Sequence, residues 1–412
     1  MSTEGNIILF EDRYVDDMSP ITLTRPAFAV TCAAWNLHEV AALAAPRVSH
    51  VVRKHLDPTA ARRFPKSPAG AGPVLFVNAS VAPDTRYADR LAELLADGAP
   101  FACTSGQRVT AALLPPDQEV PADLSPERVT PFLLDLDLPL HDEEPFETFD
   151  YPFHVVDALA RLFPANIERR LAEGRYDEVR EGVFAGEGVR IAETAVFHAE
   201  DGPIVLGENV RVLDFTYLYG PLYVGPNSRI IERSSVKEFT SIGHTCKIGG
   251  EVEASIIEPY TNKQHHGFLG HAYIGSWVNM GAGTSNSDLK NTYGKVRVEL
   301  GDRKVDTGMQ FLGCIMGDYS KTAINTSIFT GKIIGVGSML YGYVGQNVPS
   351  FCNYTRSFGQ ITECSLDQAI VTQGRMFARR GVEQTEEDIA LLADVFERTR
   401  RERRISSEPP VL

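Results

Sequence analysis

The chain has 412 residues, 43% apolar and 23% charged, an ordinary globular make-up and too long for one compact core. Its 40 Lys and Arg against 54 Asp and Glu leave a net charge of −14, which argues against a nucleic-acid binder. No apolar run approaches the roughly 20 residues of a membrane span, and the opening "MSTEGNIILFEDRYVDD" lacks the basic and apolar regions of a secretory leader.

In chain order, "NIILF" and "GPVLFVNASV" predict buried strands, and "TCAAWNLHEVAALA" and "RYADRLAELLADG" predict helices. This alternation suggests an α/β domain over residues 1–150. The Pro-rich "DLDLPLHDEEPFETFDYPF" leads into "VVDALARLFPANIERRLAEG", a connecting helix and linker over 151–180. Near the end, "SLDQAIVTQGRMFARR" and "TEEDIALLADVFERTRRERR" predict helices in a C-terminal extension, 356–412. Thr385 and Asp388 resemble a capping box with Asp replacing Glu. The stripe Ile389, Leu392 and Phe396 should pack on the body of the protein or on a neighbouring subunit. Six dispersed cysteines (Cys32, Cys103, Cys246, Cys314, Cys352 and Cys364) form no CxxC pair and are expected as free thiols in a reducing cytoplasm.

Between these flanks the sequence repeats. Leu206, Val212, Leu218, Val224, Ile230, Val236, Ile242 and Ile248 recur at spacing six. Two positions before each stands a residue that is small in most cases: Val210, Thr216, Leu222, Ser228, Ser234, Thr240 and Cys246. Spacing six fits neither a helix nor an amphipathic strand. It fits a coil of short strands and tight corners, three to a turn: a hexapeptide-repeat parallel β-helix over 181–355. The aliphatics should form its axis, and glycines should supply the unusual corner backbone. The pattern breaks at 251–270, at 284–310 and after about Val348, and breaks in a solenoid are where binding loops emerge.

The segment "HHGFLGHAYIGSWVNMGAGT", His265 to Thr284, resembles the acetyltransferase half of the bifunctional UDP-N-acetylglucosamine pyrophosphorylase / glucosamine-1-phosphate N-acetyltransferase (GlmU) family. Longer stretches, among them "LFEDRYVDDMSPITLTRPAFAV", "GGEVEASIIEPYTNKQHHGFLG" and "NSDLKNTYGKV", are similar to a divergent branch described as sugar nucleotidyltransferases of GlmU type. The resemblance implies a nucleotidyltransferase-like N-terminal domain followed by a left-handed β-helix that works as a homotrimer. It puts His265 at the catalytic position and Asn279 at the sugar-binding asparagine. It also implies acetyl-CoA as cosubstrate and, for the first domain, a nucleoside triphosphate with Mg²⁺.

The chain departs from that pattern in places. Arg229 is offset by two from the family's phosphate-binding arginine, whose position holds Ile231, and Phe268 replaces a tyrosine. No GxGxR loop follows the first strand; Arg25 is the nearby basic group suited to a phosphate, Asn78 is a candidate for nucleotide or sugar, and Asp16 and Asp17 are candidates for Mg²⁺.

The chemistry fits acyl transfer. A histidine near its ordinary pKa accepts an amine proton at neutral pH, and backbone N–H groups at the glycine-rich turns can hold an oxyanion. Substrate contacts are expected from Asn279, Arg229, Phe268 and Lys263, with Arg25 and Asn78 in the first domain. Coenzyme A contacts are expected from Ala282, Thr284, Asn286, Lys290, Asn291, Tyr293 and Lys295. No protein-bound metal is expected at the histidines, because neither Cys nor a carboxylate stands beside them in sequence.

The leading expectation is therefore a cytoplasmic transferase. It would move acetyl from acetyl-CoA to an amino-sugar phosphate and a nucleotidyl group from a nucleoside triphosphate, in nucleotide-sugar biosynthesis for the cell envelope. Two alternatives stay open: a nucleotidyltransferase with the β-helix as trimerising scaffold, and a non-catalytic β-helix that binds a sugar nucleotide or a partner protein. No membrane or nucleic-acid partner is expected.

Overall fold

A computed structural model of the chain describes residues 5–67, 72–141, 146–358 and 360–403. The first four residues of the opening segment, residues 142–145 of the Pro-rich stretch, and the part of the C-terminal extension beyond 403 lie outside the described residues. The chain divides into two compact units, Met1–Thr31 with Trp35–Pro152, and Cys32–Ala34 with Phe153–Leu412.

The first unit is built on a five-stranded sheet: β1 (Asn6–Phe10), β2 (Arg47–Val51), β3 (Val74–Asn78), β4 (Phe101–Ser105) and β5 (Arg108–Leu113). Its order is β2-β1-β3-β5-β4. β1 runs parallel to β2 and β3, while β5 is antiparallel to β3 and β4. Central strands buried on both faces read as apolar runs, and Ile7, Leu9, Phe10, Leu75, Phe76 and Val77 are fully buried. The helices are α1 (Leu37–Ala44), α2 (Asp57–Arg63), α3 (Arg86–Asp97) and α4 (Pro126–Asp135). α3 buries the stripe Ala88, Leu91 and Leu95 and stops at Gly98, whose φ of 68° suits a residue without Cβ. α1 starts later than the helix expected from Thr31. Ala33 and Ala34 have positive φ, and Asn36 then caps the helix in a reciprocal box with Glu39.

In the second unit, α5 (Pro152–Asp157) and α6 (Leu159–Glu173) precede the solenoid. The solenoid has three walls of short, almost entirely parallel strands. Ile204–Leu206, Leu222–Val224 and Thr240–Ile242 stack in the first wall. Arg211–Val212, Arg229–Ile230 and Lys247–Ile248 stack in the second. Tyr217–Leu218, Ser235–Val236 and Glu251–Val252 stack in the third. The eight aliphatics read at spacing six form the axis, each 0–1% exposed; fully burying one such side chain contributes about 1.5–3 kcal/mol.

The break at 251–270 is a shortening rather than an insertion. Partners in the first wall advance by 18 residues from Leu222 to Thr240, then by 15 from Ser241 to Ile256 and by 17 from Ile256 to Tyr273. The break at 284–310 is a true excursion: Ser285–Asn286 still pair in the wall, after which Arg297–Leu300 and Arg303–Asp306 form an antiparallel hairpin. Parallel stacking continues to Cys352–Thr355, past Val348 where the hexapeptide pattern ends. An aromatic corner, with Tyr260 and Trp277 stacked at 4.2 Å, receives Phe377 of α7 (Leu366–Ala378), 4.4 Å from Trp277. α8 (Glu386–Arg398) carries both bonds of the Thr385–Asp388 capping box. All six cysteines are buried free thiols.

Candidate functional site

The chain passes from the second wall to the third through Gln264–Gly267, and this corner carries the exposed His265 and His266. Lys263, just before it, is 2% exposed. Its ammonium donates to three carbonyls, Gly249 at 2.8 Å, His265 at 3.0 Å and Gly267 at 2.7 Å. All three N–H donors are used, so Lys263 holds the histidine corner and has no donor left for a substrate phosphate. Burial pulls its pKa down to about 8. Gly267 is required here: its φ is 125°, and a Cβ would lie 2.1 Å from the carbonyl of Thr284. His265 has one side-chain neighbour in hydrogen-bond range, Gln264 at 3.3 Å.

The third histidine is placed differently. His271 Nδ1 lies 2.8 Å from Asp288 Oδ2, and its ring stacks on Phe311 at 5.2 Å. Glu253 reaches the same place from the preceding coil, where it is the Cα partner of Gly270. Ligand-type atoms of Glu253, His271 and Asp288 lie within 4.8 Å of one another. Lys237 Nζ bridges Glu251 at 2.6 Å and Glu253 at 3.2 Å. The expectation that no carboxylate accompanies the histidines is thus corrected: stacking supplies two from neighbouring coils. These three side chains have the donor types that hold a divalent cation. The signal was present as spacing, since 253, 271 and 288 follow one another at 18 and 17 residues, about the length of a coil. Gly270 makes room for this group; a Cβ there would meet Phe268 Cζ at 2.4 Å and Asp288 Oδ2 at 2.6 Å.

Asn279 is exposed, and its Oδ1 lies 3.4 Å from Asn262 Nδ2, one coil earlier. Arg229 is exposed two rungs below Asn262 in the same wall. Of the residues expected to meet coenzyme A, Thr284 and Asn286 are buried and serve the fold. Thr284 Oγ1 shares a proton with Thr322 Oγ1 at 2.6 Å, and the Asn286 amide clips both the N–H and C=O of Gly270, at 3.0 and 2.9 Å. Ala282 is half-buried and accepts from Asn325 N–H at 2.7 Å. Asn291, Tyr293 and Lys295 are exposed on the excursion, where Lys290 Nζ donates to the Lys295 carbonyl at 3.0 Å.

The first unit has its own cavity, of about 650 Å³, lined by Arg13, Tyr14, Gln107, Arg108, Glu127 and Thr130 among others. Behind it, Arg108 is buried and ion-paired to Asp12 at 2.9 Å, with Asp150 at 2.7 Å and Ser80 Oγ at 2.8 Å. The Asn78 amide is spent on this network. It donates to Asp12 and the Val109 carbonyl and accepts from Ser80 N–H and Arg108, so it is structural rather than ligand-binding. Arg25 is 6% exposed. Asp16 accepts from Arg53 at 3.1 Å, and Glu11 holds Arg53 from the other side. The open basic group is Arg13, whose Nη2 donates to Tyr14 Oη at 2.7 Å. It stands three residues after β1, a place legible in the sequence.

The sugar nucleotidyl transferase family profile matches residues 7–172. The bifunctional sugar-1-phosphate nucleotidylyltransferase/acetyltransferase of Sulfurisphaera tokodaii is 30% identical over 142 residues, 34% of this chain and 35% of that protein. The bifunctional protein GlmU of Acidithiobacillus ferrooxidans is 31% identical over 162 residues, 38% of this chain and 32% of its own length. Over these stretches the chain is similar to the GlmU-like family. The chain also resembles an uncharacterized acetyltransferase, YaiX, of Escherichia coli, 26% identical over 168 residues, 40% of this chain and 73% of that protein. Its match spans about a third of the length of the two bifunctional relatives. Among the described residues no helix is long and apolar enough to cross a membrane.

Proposed function

We propose that the chain is a cytoplasmic, homotrimeric transferase of nucleotide-sugar biosynthesis, with acetyl transfer in the solenoid and nucleotidyl transfer in the first unit. The observation that carries this reading is the His265–Gly267 corner. It presents exposed histidines in the family's register, and Lys263 ties two of its carbonyls to that of Gly249 on the preceding coil.

In the acetyl half, the amine of an amino-sugar phosphate attacks the thioester carbonyl of acetyl-CoA. A C–N bond forms, His265 takes the amine proton, the tetrahedral oxyanion collapses, and the C–S bond breaks. The thiolate of coenzyme A leaves and takes up the proton. Asn279 offers both donor and acceptor to sugar hydroxyls. Phe268 forms an apolar wall, and Arg229 faces the substrate's negative charge. The half-buried Lys290 and the exposed Asn291, Tyr293 and Lys295 are the groups suited to the phosphates of coenzyme A.

In the nucleotidyl half, the roles first assigned to Arg25 and Asn78 pass to Arg13 and Tyr14 at the cavity. A bound Mg²⁺ would neutralise the charge of the triphosphate. The test is release of coenzyme A from acetyl-CoA across a panel of amino-sugar 1-phosphates, alongside release of pyrophosphate from UTP or dTTP.

A second reading has one observation in its favour. A histidine oriented by a carboxylate is the usual construction of a general base, and His271 with Asp288 has it whereas His265 does not. In that reading His271 Nε2 takes the proton and the His265 corner only binds. Separate His265→Ala and His271→Ala variants decide between them.

A further inference from the structure

The second wall carries a line of cations. Arg190, Arg211, Arg229 and Lys247 are Cα partners on four successive coils, continued by Asn262 and Asn279. The lower rungs have acidic residues at their corners, Glu187 and Glu208. At the upper end the corners carry Glu232 and the buried Glu258, which accepts from Tyr273 Oη at 2.7 Å. There Arg380, just past α7, seats its guanidinium on the Asn262 rung, with Nη2 donating to Asn262 Oδ1 at 2.5 Å. Lys247 sits one rung below, and its proton affinity is lowered by burial and by Arg380, Arg229 and Arg379. None of these four cations has a carboxylate within ion-pair distance among the described residues. In a chain of net charge −14, four cations without a direct ion pair, drawn from two separate elements, repel one another unless an anion lies between them.

We infer that this upper end of the second wall, Arg229, Lys247, Arg379 and Arg380 with the amides of Asn262 and Asn279, is a binding site for a diphosphate ester. Successive rungs are about 4.8 Å apart, so two rungs and the helix end span more than a single carboxylate. Guanidinium forks match phosphate oxygens bidentately, and the lysine adds a point charge. Four positive charges call for more than one negative charge. Nucleotide-linked sugars and coenzyme A both carry a diphosphate, and the chemistry recognised is common to them. The site holds whichever histidine is the base and does not require that the chain be an acetyltransferase.

The experiment is isothermal titration of the full chain with inorganic pyrophosphate, then competition by UDP or by coenzyme A. Pyrophosphate should bind the wild type, and a Arg229→Gln/Lys247→Gln double variant should lose that binding event or weaken it about tenfold or more. Arg190→Gln, on a lower rung, should change it less than about twofold. Because Arg380 also anchors a helix end, Arg380→Lys serves as the charge-preserving control and should retain binding. Displacement by UDP identifies a nucleotide-type ligand; displacement by coenzyme A identifies the cosubstrate. An unchanged isotherm in the double variant, or pyrophosphate that neither ester displaces, overturns the inference. Circular dichroism of the double variant, whose two residues lie on the outside of the wall, checks that it is folded.

Discussion

The imidazole of His271 and the carboxylate of Asp288 meet at 2.8 Å although they stand on different coils. Glu253, from a third coil, completes the group. A side chain that needs a partner on this scaffold finds it one coil away rather than three or four residues away. The pair is half-buried, with side-chain exposures of 29% and 13%. Asp288→Asn should therefore cost about 0.5–1.5 kcal/mol in urea unfolding. No change in midpoint would mean that solvent replaces the contact without loss.

The same stacking explains Lys263. Lys263→Met removes three charge-assisted bonds, and of the three carbonyls that of Gly267 keeps the Glu251 N–H at 3.2 Å. It should destabilise the solenoid by about 2–4 kcal/mol and reduce acetyl transfer while sparing pyrophosphate release. Equal loss of both activities would point to general unfolding.

Lys263 also sets a pH dependence. Its folded pKa, about 8, lies below the ordinary 10.5. Between these values the unfolded chain binds more protons than the folded one, so the free energy of unfolding gains from this group as pH rises through 8 toward 10.5. The gain is absent below 8. The wild type should rise relative to Lys263→Met by up to about 3 kcal/mol across that window, read by urea titration at several pH values. A constant difference would place the folded pKa near 10.5.

Two glycines should rank differently. Gly267→Ala combines a left-handed backbone with a contact of 2.1 Å to a carbonyl, whereas Gly270→Ala meets side-chain atoms at 2.4 and 2.6 Å. Gly267→Ala should cost about 2–3 kcal/mol or more. Gly270→Ala should cost less, yet separate Asp288 from His271. Comparing thermal midpoints of the two variants checks the order.

In the first unit, Arg13 is open and Arg108 is structural. Arg13→Gln should weaken UTP binding about tenfold without moving the melting temperature. Arg108→Leu leaves Asp12 buried without its cation and should cost about 3–5 kcal/mol. The contrast is measured by nucleotide titration and thermal melting of each variant.

The axis of the solenoid was legible because each hexad places one aliphatic inward, and Leu206 through Ile248 keep that phase without interruption. The helix boundary at Leu37 was partly legible: Asn36 and Glu39 carry the capping signal, but the left-handed backbone at Ala33 and Ala34 has no sequence mark. The site was harder to see. A lysine in a corner reads as a ligand for phosphate, and nothing local shows that Lys263 spends its donors on carbonyls from two coils. His271 reads as a decoration until the shortened coils bring Glu253 and Asp288 to it. Asn78, Thr284 and Asn286 carry polar groups typical of ligand contacts, but buried backbone and side-chain partners use them first.

The most direct test of the central claim is release of coenzyme A from acetyl-CoA across amino-sugar 1-phosphates and nucleotide-linked amino sugars, for the wild type, His265→Ala and His271→Ala. The account predicts turnover with at least one acceptor, a fall of about a hundredfold or more in His265→Ala, and a smaller fall in His271→Ala. The reverse order would move the base to His271, and no release with any acceptor would contradict acetyl transfer at this corner.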